Sequence, residues 1–115
     1  MKELLQQWAE LEPKRCRNSE TTLGIELLIS KTWINLWGND ASIVEALIQL
    51  ALQQTIESIA WHYEQRWSGT VKIAYVYPHN VTKLIRHEAD THAEALLRAY
   101  IEALLVTRAH EERAA

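Results

Sequence analysis

Apolar positions recur along the chain with two different periods, and the change of period divides it into elements. Leu4, Leu5, Trp8 and Leu11 fall at helical spacing, which predicts a short amphipathic helix over 2–11, ended by Pro13. Residues 14–22 are polar and read as a loop. From Leu23 to Trp37 the period drops to two: Ile25, Leu27 and Ile29 alternate, as do Trp33, Asn35 and Trp37 against Ile34 and Leu36. Two strands joined by a tight turn at Ser30-Lys31 fit this stretch better than the alternative, a helix. Gly24 and the β-branched and Trp content weigh against helix.

Past Gly38-Asn39-Asp40 the helical period returns. Ser42 and Glu45 have capping-box spacing, with Asn39 or Asp40 as other candidate caps. Val44, Leu47, Ile48, Ala51, Leu52, Thr55, Ile56 and Ile59 then form one stripe. This predicts a single long helix to about Arg66, with Gly69 as its stop. Thr70 to Tyr77 reads as a strand, Pro78-His79-Asn80 as a turn and Val81 to Arg86 as the returning strand. Thr91 and Glu94 form a second capping box, and the stripe from Ala93 to Leu105 predicts a last helix ending near Arg108. Ala114 and Ala115 are expected to fray. The fold class is therefore α+β within one domain, 1–115. A small antiparallel sheet of two hairpins is sandwiched with three helices in the order α-ββ-α-ββ-α.

The long helix has a second apolar face. Ile43, Leu50 and Trp61 lie within about 20° of one another, opposite the main stripe. Either two layers of the same chain cover both faces, or the second face meets another protein. Five Trp in 115 residues favour the second option and, with it, a homodimer.

Charge and cysteine narrow the partners. A net charge of -3 gives no global attraction to nucleic acid or to an anionic membrane. One cysteine, Cys16, makes no internal disulfide and no metal site, which points to a reducing cytosol. The start of the chain lacks the pattern of a signal peptide, and no apolar run reaches membrane-spanning length, so a cytoplasmic protein is expected.

Candidate chemistry is sparse. His87 and His92 resemble a zinc-hydrolase pair but stand five apart, where one helix face needs four, so the segment reads as a strand end and a cap. His62 on the long helix should point toward the core side, as a hydrogen-bonded histidine at its edge or, in a ligand pocket, as a base. Neither a phosphate loop nor a nucleophile elbow is found, and no cofactor, metal or enzymatic activity is expected. The segment Arg66–Arg86 carries Lys72, His79 and Lys83 with Trp67, Tyr75 and Tyr77 and no acid. That is the composition of a basic aromatic hairpin, and it offers an alternative function, nucleic-acid binding through Lys72, Lys83 and Arg86. Pro13-Lys14-Arg15-Cys16-Arg17 is a second basic cluster and reads as a solvated loop.

Glu88-Ala89-Asp90-Thr91, followed after three residues by Ala95-Leu96-Leu97-Arg98-Ala99, resembles the closing signature of the phage ABA sandwich domain family. In that family an acidic-Asp-Thr turn leads into a helix reading roughly Ala-Ile-Cys-Arg-Ala-Ala-Leu. Leu97 stands here where Cys is common, and Tyr100 where Ala is common. The resemblance extends over roughly 41–106. It implies an α-β-α sandwich and an accessory or interaction role in a phage-bearing bacterium, and it implies no activity.

Overall fold

The computed structural model describes residues 1–114. Three helices and six strands follow in the order α1 (Lys2–Leu11), β1 (Cys16–Asn18), β2 (Ile25–Ile29), β3 (Thr32–Asn35), α2 (Ala41–Ser58), β4 (His62–Ser68), β5 (Val71–Tyr77), β6 (Arg86–Ala89) and α3 (His92–Ala114). The α+β class stands, but the strands do not merge into one sheet. They form two three-stranded antiparallel sheets, β1-β2-β3 and β4-β5-β6. The expected fraying of Ala115 lies outside the described residues.

The first half keeps close to its sequence pattern. α1 buries Leu5 and Trp8, and the backbone N–H of Glu12 closes its last turn on the Trp8 carbonyl before Pro13. In β2, Ile25, Leu27 and Ile29 are buried while Glu26 and Leu28 are half-buried, as a period of two requires. The hairpin turn places Ser30 at φ 50° and Lys31 at φ 67°, both left-handed, as a type I′ turn demands. Gln54 of α2 braces it: its Oε1 accepts from the Ser30 N–H at 2.8 Å, and its Nε2 donates to Ser30 Oγ at 3.0 Å. The polar stretch expected as a loop contributes a strand: β1 pairs with β2 and turns Cys16 into the core. Three residues are too few for a period to show.

α2 corrects the sequence reading twice. It begins at Ala41 with Asp40 in the capping position and no side-chain cap, so the Ser42–Glu45 box does not form. It stops at Ser58, well short of Arg66. Ala60 takes φ 58°, the Ala60 N–H donates to the Glu57 carbonyl at 3.1 Å, and the Trp61 N–H reaches back to the Ile56 carbonyl at 3.2 Å. This is the paired bonding of a Schellman stop, with alanine where glycine is usual.

The chain expected to finish that helix becomes β4, paired with β5 from His62↔Tyr77 to Ser68↔Val71. Gly69, at φ +61°, sits in the two-residue turn between them and stops no helix. The Pro78-His79-Asn80 segment opens a longer connection rather than a tight turn, so the expected strand over 81–86 survives only at Arg86, the first residue of β6. α3 starts as expected, with Thr91 Oγ accepting from the Glu94 N–H at 3.2 Å, and runs past Arg108 to Ala114. Its small residues Ala93, Ala95, Ala99 and Ala103 are fully buried and let it lie close to β5 and β6. α2 packs against β2 on one side and α3 on another, which makes it the element shared by both halves.

Candidate interaction surface

Ile43 and Leu50 lie on the outward face of α2, 46% and 42% exposed. Trp61 does not join them. With the helix ended at Ser58, Trp61 turns inward at the other end of α2 and packs its ring on Tyr100, 5.9 Å between centroids. Another tryptophan takes up the exposed position beside α2: Trp67, near the end of β4, is 69% exposed.

β4 and α2 together make one continuous surface. Strand β4 is an outer strand of its sheet, hydrogen-bonded to β5 along one edge and to no strand along the other. Gln65 of β4 and Gln49 of α2 exchange side-chain amide hydrogen bonds of 2.7 and 2.9 Å, which ties the helix alongside the strand. Between them opens a cleft of about 610 Å³ lined by Ser42, Glu45, Ala46 and Gln49 of α2, by Gln65 and Trp67 of β4 and by His92. Trp67 meets His92 edge-on at 6.4 Å, and His92 Nδ1 is buried without a partner.

The three residues proposed for nucleic acid do not converge. Lys72 stands opposite Trp67 and Ala89, whereas Arg86 stands opposite Tyr75 on the other face of the same sheet. Lys83 is held by Glu102 at 3.0 Å. The outer face does carry an aromatic ladder, with Tyr75 and Tyr77 parallel at 6.3 Å and His62 stacked on Tyr77 at 5.4 Å. Its arginines are paired with neighbouring carboxylates, Arg66 with Glu64 at 2.7 Å and Arg86 with Glu88 at 2.6 Å. The Glu88 and Tyr75 contacts push the Arg86 guanidinium pKa up.

His62 is exposed at the start of β4 and not directed at the core, since it lies beyond the end of the helix. His87 Nε2 meets Glu102 Oε1 at 2.7 Å, away from His92 in the cleft. Burial would raise the Glu102 carboxyl pKa, but the hydrogen bonds of His87 and Lys83 outweigh it and hold it below the usual carboxylate range. Among the described residues no three His, Cys, Asp or Glu side chains cluster as a metal site would require. Cys16, at the centre of the supposed basic loop, is buried, and burial pushes its thiol up to about 12.

One polar centre escaped the sequence reading. Glu12 Oε1 accepts from the indole N–H of Trp8 at 2.9 Å and from the Tyr100 hydroxyl at 2.7 Å, bridging the end of α1 to α3. Burial and this carboxylate push the Tyr100 hydroxyl pKa well above its ordinary value. Trp8 and Glu12 are four residues apart, but Tyr100 lies 88 residues from Glu12, so no local pattern could have joined it to them. Their bonding pattern is that of a structural tie.

Comparisons with protein-family models, with curated proteins and with solved structures give no match. Among the described residues, no helix is long and apolar enough to cross a membrane.

Proposed function

We propose that the protein is a self-associating interaction domain, not an enzyme, and that its working surface is the side formed by α2 and β4. The observation that carries this reading is that β4 has an edge with nothing paired to it, that Trp67 on this strand is exposed, and that the helix tied alongside it, α2, exposes Ile43 and Leu50 on its outward face. A fold of this size leaves single apolar side chains on its surface, but apolar side chains gathered beside an open edge are the usual composition of an interface core. The resemblance of 88–99 to the phage ABA sandwich proteins supports an accessory role in the cytoplasm of a phage-bearing bacterium. Nucleic-acid binding has less support, because Lys72, Lys83 and Arg86 are dispersed and the sheet's arginines are already neutralised.

Light scattering at micromolar concentration tests the reading. The expected result is a homodimer that Leu50→Asp converts to a folded monomer, while Trp37→Ala, which alters an equally exposed tryptophan on the β3–α2 connection, leaves it dimeric. A strict monomer for the unmodified chain would overturn it.

A further inference from the structure

The edge of β4 is written so that it matches itself. Its seven residues read His62-Tyr63-Glu64-Gln65-Arg66-Trp67-Ser68, with an acid and a base placed symmetrically about Gln65 and an aromatic residue beyond each. We infer that two copies of the chain pair β4 against β4, antiparallel and centred on Gln65, so that three strands from each copy join in one continuous sheet. The inference rests on the self-association just proposed and names its register.

Register follows from charge. With Gln65 opposite Gln65 of the second copy, each Glu64 faces the second copy's Arg66 on the outer face, and each Tyr63 faces the second copy's Trp67 on the inner face. Opposite charges and aromatic pairs directly across an antiparallel ladder are the favourable arrangements. Sliding one strand by two residues moves the centre to residue 64 or 66 and sets Glu64 against Glu64 or Arg66 against Arg66, and both are repulsive. A shift that breaks the alternation turns inner side chains to the outer face and is excluded by the packing beneath. The register centred on Gln65 opposes no like charges, keeps the faces and pairs all seven residues of β4, whereas centres further along the strand leave most of it unpaired.

The surroundings fit the same arrangement. Glu64 and Arg66 are 34% and 64% exposed at the side chain and are bonded along their own strand, so they are already set side by side for a second pair. Glu64 and Arg66 lie on the face away from α2, while Gln65 and Trp67 lie on the α2 side with the cleft. A second β4 in the sheet plane brings its own α2 against the ridge of Ile43, Ala46 and Leu50, and covers Trp67. Strand pairing and helix packing thus occur on one two-fold axis, which is the isologous contact expected of a homodimer.

Charge reversal decides the register. Glu64→Arg alone and Arg66→Glu alone each place like charges across the ladder and should weaken dimerisation roughly 10- to 100-fold, read by light scattering. Mixed in equal amounts, the two variants present all-basic against all-acidic edges and should form a heterodimer, detected by native mass spectrometry. Gln65→Cys gives a second measure: facing cysteines should oxidise to a covalent dimer, with the buried native Cys16 taking no part. Circular dichroism and thermal unfolding check that each variant is folded. If the unmodified chain dimerises while both reversal variants remain as tightly dimeric, or if Gln65→Cys gives no cross-link in a dimer, the register is wrong and the interaction surface still stands. If the unmodified chain is monomeric, both fall.

Discussion

The two sheets are built alike and finished differently. In β1-β2-β3 the outer strands are short, three and four residues, and β1 lies beside α1. Short, covered edges are the common defence against unwanted strand pairing. In β4-β5-β6 one outer strand is also short, four residues leading directly into α3, but the other runs seven residues with an unpaired edge. The same contrast holds for the side chains. Ala74 and Val76 of the second sheet are as fully buried as Cys16 and Leu27 of the first, but the same face of the second sheet also carries Trp67, 69% exposed. One sheet serves the core on its inner face alone. The other keeps an edge and a large aromatic side chain available, which is the physical reason to look for function there.

The largest test of this contrast replaces one large side chain in each sheet. Leu27 is fully buried against the helices, and Leu27→Ala should cost about 2–5 kcal/mol, the lost transfer energy plus the cavity left behind. Trp67→Ala, measured at a concentration where the chain is monomeric, should change stability by about 0.5 kcal/mol or less, because little of the ring is buried. Urea denaturation followed by circular dichroism reads both. Equal losses would mean that Trp67 is a core residue after all and would dissolve the contrast.

A smaller effect is expected at the two-residue turns, one in each sheet, that join β2 to β3 and β4 to β5. The second sheet turns at Gly69, φ +61°, a conformation glycine adopts freely. The first turns at Ser30 and Lys31, two left-handed positions without a glycine, and relies on Gln54 to hold them. Lys31→Gly leaves both Ser30–Gln54 hydrogen bonds intact and removes the crowding of a side chain at φ 67°, so it should stabilise the fold by about 1 kcal/mol in urea titrations. No gain would show that the brace already removes the strain.

How much of this could be read from the sequence differs between the halves for the same reason. Where core-facing side chains are apolar and the elements long enough, as in α1, β2 and α3, period alone identified them. The β2–β3 hairpin was legible because Ile25, Leu27 and Ile29 alternate cleanly. The segment after Ser58 was not. Between Asp40 and Gly69 there is neither glycine nor proline, so no breaker marks the end of α2. Alanine, the strongest helix former, occupies the position where the helix stops, and pairing along the whole of β5 overrides that local preference. A signal was available in the alternation of Tyr63, Gln65 and Trp67 with His62, Glu64 and Arg66, and in Ser68-Gly69 as a hairpin turn. The helical stripe, extrapolated past Ile59, concealed it. The interaction surface was legible to the same degree: Ile43 and Leu50 follow from helical geometry, but the free edge and Trp67 required knowing that β4 is a strand.

That misread junction supplies the smallest and most specific test. Ala60 holds φ 58° at the point where α2 hands over to β4, and its methyl group is crowded against its own backbone there. The stop is held by main-chain bonds, the Trp61 N–H on the Ile56 carbonyl and the Ala60 N–H on the Glu57 carbonyl, neither of which depends on the side chain. Ala60→Gly therefore keeps the bonds and relieves the crowding, with a partial offset from the greater freedom of glycine in the unfolded chain. The expected gain is about 0.5–1 kcal/mol, seen as a raised midpoint in urea at unchanged slope. Dimer affinity should stay as it is, since residue 60 lies at the junction and not on the paired edge. If Ala60→Gly instead destabilises, or shifts the dimer equilibrium, then residue 60 does more than end a helix, and β4 is not an independent edge but one whose position is set by the strain at its root.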